Sequence, residues 1–584
     1  MVRWTVRVGR GVAVAATLVV AVACGQDRPG GAGEEAVGDT DFGGFCETVR
    51  PRVEAFLASR SDTPAVREEE RYGGTVVAAG IGGLPSGMNA FVVSDYAARQ
   101  HQQYVNLMTL ARYDEELQPQ PWLAESWELS EDGRELTFHL RDDVVWHDGE
   151  PTDAEDVAFT YRRILDPATG HPNPASWAGY QGGEEGVEVV DAHTVRVRLD
   201  PRSGALDPWT TAAIMPEHLL GDVAPERLGQ HPYGTQCPVG NGPFVFQEHL
   251  PGDRWSFTAN PAFPDELGGR PYLDRYVYRI IPEPATLLTE LLTGGLDLYV
   301  SPTPDQAREI IDAPNAELRR FDFPSFVFVA WNSRRPQLAD PRVRRAITMG
   351  LDRDAVVESI FQGYATVSNA GIPPFHWAYD LAVNSGLDHD PAAARALLDE
   401  AGWTDRDGDG VRENADGLPL SFTVKYNRGS QQRQSIAEIM QAQLGGLGID
   451  ARPQVVEFGT LLDQVMDPER REFDGVVMSL VAEFRLDETD LFHSRSEDGP
   501  MGWSGTTNDR MDQLLDQLRV TSDRQEGRAL WTEYLEAQAQ EQPYTFLYFP
   551  DRLDGVHTRL RGAVMDPRGE WQSLKDWWIA PEDR

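Results

Sequence analysis

Between Tyr72 and Trp578 the chain alternates strand-like and helix-like segments, with neither a linker nor a repeat to interrupt them. That order constrains the fold more than any other feature. A strand, a crossover helix and a further strand pair in parallel with helices covering the sheet, so the pattern predicts an α/β body. Thr75-Val76-Val77-Ala78 follows a Gly-Gly pair and reads as an early buried strand. Leu136 to Arg141 and Thr194 to Leu199 alternate at period two, as half-buried strands do. Farther on, Asp390-Pro391 opens a helix that ends at Gly402, with a capping Asp, Pro at the first helical position and Gly past the end. Ile436, Ile439, Met440, Leu444 and Leu447 keep helical spacing, as do Met511, Leu514, Leu515 and Leu518. Val455 to Phe458 and Gly475 to Met478 read as strands. Ligands of such sheets sit beyond the strand C-termini.

The N-terminus supplies an address. Arg3, Arg7 and Arg10 precede the apolar run Gly11 to Ala23, which at thirteen residues is too short to span a bilayer and suits a signal peptide. Ala21-Val22-Ala23-Cys24 resembles a bacterial lipobox, in which Cys24 is lipidated and becomes the first mature residue; ordinary cleavage near Ala23 is the alternative. Gly25 to Gly44 is Gly-rich and acidic and reads as a tether. The body is therefore expected on the extracytoplasmic face of a bacterial membrane. In that compartment Cys46 and Cys237 can be read as one disulfide, or as two free thiols. A net charge of −40 excludes a nucleic-acid partner, because phosphate binding needs clustered cations.

No HExxH, GxSxG or GxxxxGK[ST] motif occurs. Gly502-Trp503-Ser504-Gly505 has the wrong spacing for a nucleophile elbow, and His147-Asp148 reads as a turn. These absences point away from an enzyme. One metal-type pattern is present: Asp405, Asp407 and Asp409 alternate, Gly410 follows, and Glu413 and Asp416 stand at loop positions nine and twelve. Such carboxylates, with the Val411 carbonyl, can converge on a structural Ca²⁺; the alternative is a polar turn whose Asp side chains bond local amides. Arg344 and Arg345 fall on the polar face of a helix whose apolar face is Val343, Ala346 and Ile347, which predicts a solvated or salt-bridged role.

The order of several segments carries a resemblance. Leu123 to Glu128 reads LAESWE, Thr137 to Arg141 TFHLR and Trp146 to Pro151 WHDGEP, followed by DAEDVAFTYRRI from Asp153 to Ile164. VGNGPFVF at Val239 to Phe246, TGGLDLYV at Thr293 to Val300 and DPRVRRAITMGLDRDAVV at Asp340 to Val357 come next, then AAARALLDEAGW and the acidic loop. Together, over about residues 72 to 580, they resemble the family 5 extracellular solute-binding proteins, the dipeptide- and oligopeptide-binding components of bacterial ABC importers. The resemblance implies a two-lobed, periplasmic-binding-protein-like clamshell (type II) with a small domain inserted in the first lobe. It divides the chain into a signal peptide (1–23), a lipidated tether (24–45), first lobe (46–97), inserted domain (98–199), first lobe (200–320), second lobe (321–543) and first lobe again (544–584).

In peptide binders of this family a GW-x-x-D segment follows a strand, and its Asp pairs with the peptide ammonium. The matching stretch here is Ser479 to Glu483, so the resemblance gives Glu483 the carboxylate role, although Leu480 replaces the family Trp. The backbone of Ser479 and Val481 would take the ligand as an added strand, and Phe458 would form an aromatic wall. An arginine sometimes used downstream of that aromatic is Val465 here. The implied partners are a short peptide and an ABC permease, with the membrane reached only through the lipid and the chain a monomer. Within the family an oligosaccharide or a metal chelate could replace the peptide; a secreted hydrolase is the rival class.

Overall fold

The computed structural model describes residues 42–60, 69–85, 87–92, 95–172, 174–380, 386–482 and 484–584. Cys24, the signal segment and Glu483 lie outside the described residues. The fold is organised by the 14-residue strand Tyr544–His557, which is rich in the aromatic residues that favour extended backbone. Its first half pairs antiparallel with Ser325–Trp331 and Ala365–Val367. Its second half pairs antiparallel with Ala316–Asp322 and Leu298–Val300. One strand thus belongs to both lobes, and the short step from Asp322 to Ser325 is a second crossing.

In the first lobe, Thr75–Gly80 runs parallel to Arg275–Ile280 and to Leu298–Val300. In the second, Ser421–Asn427 runs parallel to Asp450–Val456 through the crossover helix Gln431–Gly445, and Gly475–Val481 pairs antiparallel with Ser325–Trp331. The body is α/β with a mixed sheet, because the shared strand returns against its neighbours. The helix Pro391–Glu400 begins as its sequence predicts: Asp390 accepts from the Ala392 and Ala393 amides and Pro391 opens the first turn.

Four expectations need correction. Residues 544–550 pair within the second lobe, so the return to the first lobe falls inside the strand and not at 544. The strand continues through residue 557 despite a register shift opposite Val327 and Phe328, and the boundary follows its pairing. The inserted domain, a four-stranded sheet built on Glu135–Leu140 and Thr194–Arg198, shares one core with Val49, Trp209, Tyr233, Cys237 and Val239. The helix Phe45–Ser59 and much of 200–239 therefore pack with it, beyond the expected limits of 98 and 199. Cys46 and Cys237 form a disulfide within that core, with a Cα–Cα distance of 5.6 Å. Phe458 opens the helix Phe458–Met466 and does not end a strand, because Glu457 caps that helix by accepting from the Thr460 amide. Finally, Arg344 has the salt-bridged role of the two expected, but it is fully buried and not on an exposed polar face. Its guanidinium pairs with Glu541 at 2.7 Å and donates to the carbonyls of Leu338, Ala339, Glu541 and Gln542, a cluster from two distant segments that the helical period cannot reveal.

Candidate ligand site between the lobes

A cavity of about 120 Å³ lies where the lobes meet. The first lobe and its inserted domain contribute Tyr96, Arg99, Tyr104, Tyr113, Asp207 and Arg568, and the second contributes Val481, Ala482, Phe484 and Arg485. Pockets for small organic ligands span about 300–1,000 Å³, so a ligand of that size enters this space only when the lobes part.

The wall is built from segments far apart in sequence. Asp95 caps the helix Tyr96–His101 by accepting from the Ala98 amide, which presents Tyr96 and Arg99 to the cavity. The Tyr96 hydroxyl donates to Glu570 at 2.9 Å, and burial raises its pKa well above the usual phenol value. Glu570 and the hinge-strand Asp554 are both fully buried around Arg552. Burial, then the Glu570 charge, raises the Asp554 pKa strongly. Opposite, the Tyr113 ring meets Phe484 of the second lobe edge to face at 5.4 Å, while its hydroxyl donates to Asp207. Arg568 pairs with Asp566 and donates to the Tyr113 carbonyl at 3.1 Å. With Arg568 fixed by Asp566 and by the Tyr113 carbonyl, this part of the wall presents the aromatic faces of Tyr96, Tyr104, Tyr113 and Phe484 beside a held charge.

The segment after Gly475–Val481 is anchored from behind. Glu488 is 6% exposed and accepts from the Tyr534 hydroxyl and Gln538 Nε2, each at 2.7 Å. Its pKa is lifted to about 7 by burial, against the two donors. His376 adds a contact at 2.9 Å to the Phe484 carbonyl. The lobes also touch directly: Arg524 donates to the Glu116 and Leu117 carbonyls at 3.0 and 2.6 Å, and the Ser203 amide donates to the Arg519 carbonyl at 2.7 Å.

Among the residues expected in the site, Val481 lines the cavity. Ser479 lies farther along the same strand, with its hydroxyl accepting from Arg433 at 2.8 Å. Phe458 is not in the cavity wall, and Val465 is buried in the second-lobe core. Glu483 lies outside the described residues, between Ala482 and Phe484, which both line the cavity. Beyond Val476 the second edge of Gly475–Val481 has no strand partner among the described residues, since its register with Ser421–Asn427 covers only Gly475 and Val476. Tyr96, Tyr113, Asp207 and Arg568 carry no local motif and were not legible as site residues.

In the acidic loop, the side chains of Asp405, Asp407, Asp409 and Glu413 bring one oxygen each within 4.8 Å of one another. Asp416 does not join them. Asp405 also accepts from the Gly408 and Gly410 amides, Asp409 accepts from the Val411 amide, and Glu413 accepts from the Arg406 amide. His147 is buried, bonded to the Gly242 carbonyl, and its pKa is lowered to about 4 by burial; its contacts are those of a turn.

Residues 118–500 match the bacterial extracellular solute-binding proteins, family 5 (middle region). The chain is 29% identical over 533 residues to the oligopeptide-binding protein AppA of Bacillus subtilis, covering 90% of this chain and 95% of that one. It is 24% identical over 506 residues to heme-binding protein A of Haemophilus influenzae, covering 82% and 87%. The solved structure of Bacillus subtilis AppA in complex with a nonapeptide superposes with a TM-score of 0.71 at 29% identity, covering 87% of this chain and 99% of that one. With the clamshell, the two crossings and the interlobe cavity in place, the chain belongs to the family 5 bacterial extracellular solute-binding proteins, a family that serves transporters.

Proposed function

We propose that this protein captures short peptides between its lobes outside the cell and delivers them to an ABC importer permease. The observation that carries this reading is the unpaired edge of Gly475–Val481 beyond Val476, which ends at the cavity wall. An extended peptide adds to such an edge through main-chain hydrogen bonds, which hold any sequence, while the aromatic wall of Tyr96, Tyr104, Tyr113 and Phe484 covers its side chains. The likeness to AppA over nearly its whole length supports the same reading. Capture needs no bond making, so the protein acts as a carrier and not as an enzyme. The ligand's tighter binding to the closed form drives closure, and the closed shape is what the permease receives.

The body is a monomer held at the membrane through lipid on Cys24. Among the described residues no helix is long and apolar enough to cross a membrane. Glu483 is the carboxylate that meets the peptide ammonium, and Ca²⁺ held by Asp405, Asp407, Asp409 and Glu413 ties the acidic loop without entering the cleft. A non-peptide solute is the second reading, favoured by the similarity to heme-binding protein A. A thermal-shift screen separates the two. Peptide binding raises the melting temperature with peptide concentration; a shift with heme or sugars and none with peptides would replace the first reading by the second.

A further inference from the structure

A second cavity, of about 270 Å³, adjoins the first across Arg485, which lines both. Its walls again come from the two lobes: Gly179, Asp200 and Arg202 on one side, and Asp487, Thr489, Arg495 and Arg519 on the other. Most of its charges are spoken for. Arg485 pairs with Asp487, Arg495 with Asp516 at 3.2 Å, and Asp200 with Arg134 at 3.7 Å. Arg202 differs. It is only 8% exposed, and Nε, Nη1 and Nη2 are all buried without a hydrogen-bond partner. Its one described contact is with the Tyr180 ring, 5.8 Å from the guanidinium carbon to the centroid. The Thr489 hydroxyl of the facing wall is likewise buried and unpartnered.

A buried guanidinium carries a full charge at any physiological pH and forms its strongest bonds with a carboxylate in a two-pronged geometry. Burying it unpaired is unfavourable, so its retention at a cavity wall has to be offset when something else fills the cavity. Gly179 lines the cavity beside Arg202. Its φ of +89° favours glycine, and a Cβ there would stand in van der Waals contact with Arg202, 3.5 Å from Nη1.

We propose that this second cavity is an anion subsite that receives a carboxylate of the bound ligand, with Arg202 as its principal partner, Arg519 beside it and Thr489 as a donor. The inference rests on the peptide reading and sharpens it: the favoured ligands are peptides long enough to pass Arg485 and to place there a C-terminal carboxylate or an acidic side chain. The subsite explains how a chain with a net charge of −40 selects an anionic group. Selection comes from a local desolvated cation and not from the overall field.

The test uses the purified full-length body with three pools of random nonapeptides: free C-terminus without Asp or Glu, C-amidated without Asp or Glu, and C-amidated with one Glu. Retained peptides are read by native mass spectrometry for the wild type, Arg202→Gln and Arg202→Met. The wild type is expected to retain one or both carboxylate-bearing pools about tenfold above the amidated neutral pool, and the difference between those two pools identifies the source of the carboxylate. Both variants lose that preference and keep their retention of the neutral pool. The unliganded Arg202→Met protein melts at or above the wild-type temperature, whereas loss of a merely structural arginine would lower it. Wild-type retention without preference, or an unchanged preference in the variants, overturns the subsite alone. If the wild type retains no pool, the peptide reading falls and the subsite with it.

Discussion

Glu488 offers a sharp test of how the cleft wall is held. It stands in the middle of the segment Phe484 to Asp490, whose residues line both interlobe cavities. Burial lifts its pKa from 4.5 to about 7, so between those values the folded protein binds a proton that the unfolded chain does not. The stabilisation from this group is therefore complete below pH 4.5 and is lost as the pH rises through about 7. The shift corresponds to about 3 kcal/mol. For a chain of this length, about 1 kcal/mol moves the melting temperature by roughly 1 °C, so the loss amounts to about 3 °C. Glu488→Gln is neutral at every pH, and its amide oxygen still accepts from Tyr534 and Gln538. Melting curves of the two proteins from pH 4.5 to 8.5 should coincide at the acid end and diverge until the variant is about 3 °C more stable at pH 8.5. Parallel curves, or a variant less stable at pH 8.5, would refute the assignment of a protonated carboxyl behind the cleft.

Reducing the Cys46–Cys237 bond, or replacing Cys237 by Ser, frees a loop with a sequence separation of 191 and should lower stability by about 5 kcal/mol on the chain-entropy account; an unchanged unfolding midpoint in denaturant would contradict it. Arg524→Ala removes two charge-assisted bonds across the cleft, about 3 kcal/mol, and should enlarge the radius of gyration of the unliganded protein in small-angle scattering. An identical radius would mean that those bonds do not hold the lobes. Calcium should raise the melting temperature of the wild type and not of Asp407→Ala; indifference of the wild type to calcium and to chelator would leave the loop as a turn closed by its own amides.

The sequence carried the architecture because its signals are local. Asp390 and Pro391 announce a helix start within two residues, and the strands Thr194–Arg198 and Gly475–Val481 declare themselves by pattern. The order of motifs then identifies the clamshell, since each marks a supersecondary unit. Among the described residues, expectation and cavity wall coincide at Val481, where the chain order of strand and loop places a residue at the cleft. The rest of the wall is a product of topology: Tyr96 bonds a residue 474 positions away, and no window of sequence contains both. Phe458 illustrates a competing local signal, in which the Glu457 cap outweighs the strand pattern before it. Arg344 illustrates a tertiary one: its helix face reads as polar, yet four carbonyls and one carboxylate converge on it in the core. The two unpartnered groups in the second cavity, Arg202 and Thr489, come from opposite lobes and have no signature short of the folded chain.

The central claim is that the space between the lobes takes peptides and returns them unaltered. Native mass spectrometry of the purified protein mixed with a pool of random nonapeptides tests it in one measurement. The account predicts complexes of one protein with one intact peptide, released without a change in peptide mass. Absence of any peptide complex, or recovery of cleaved peptides, would contradict it.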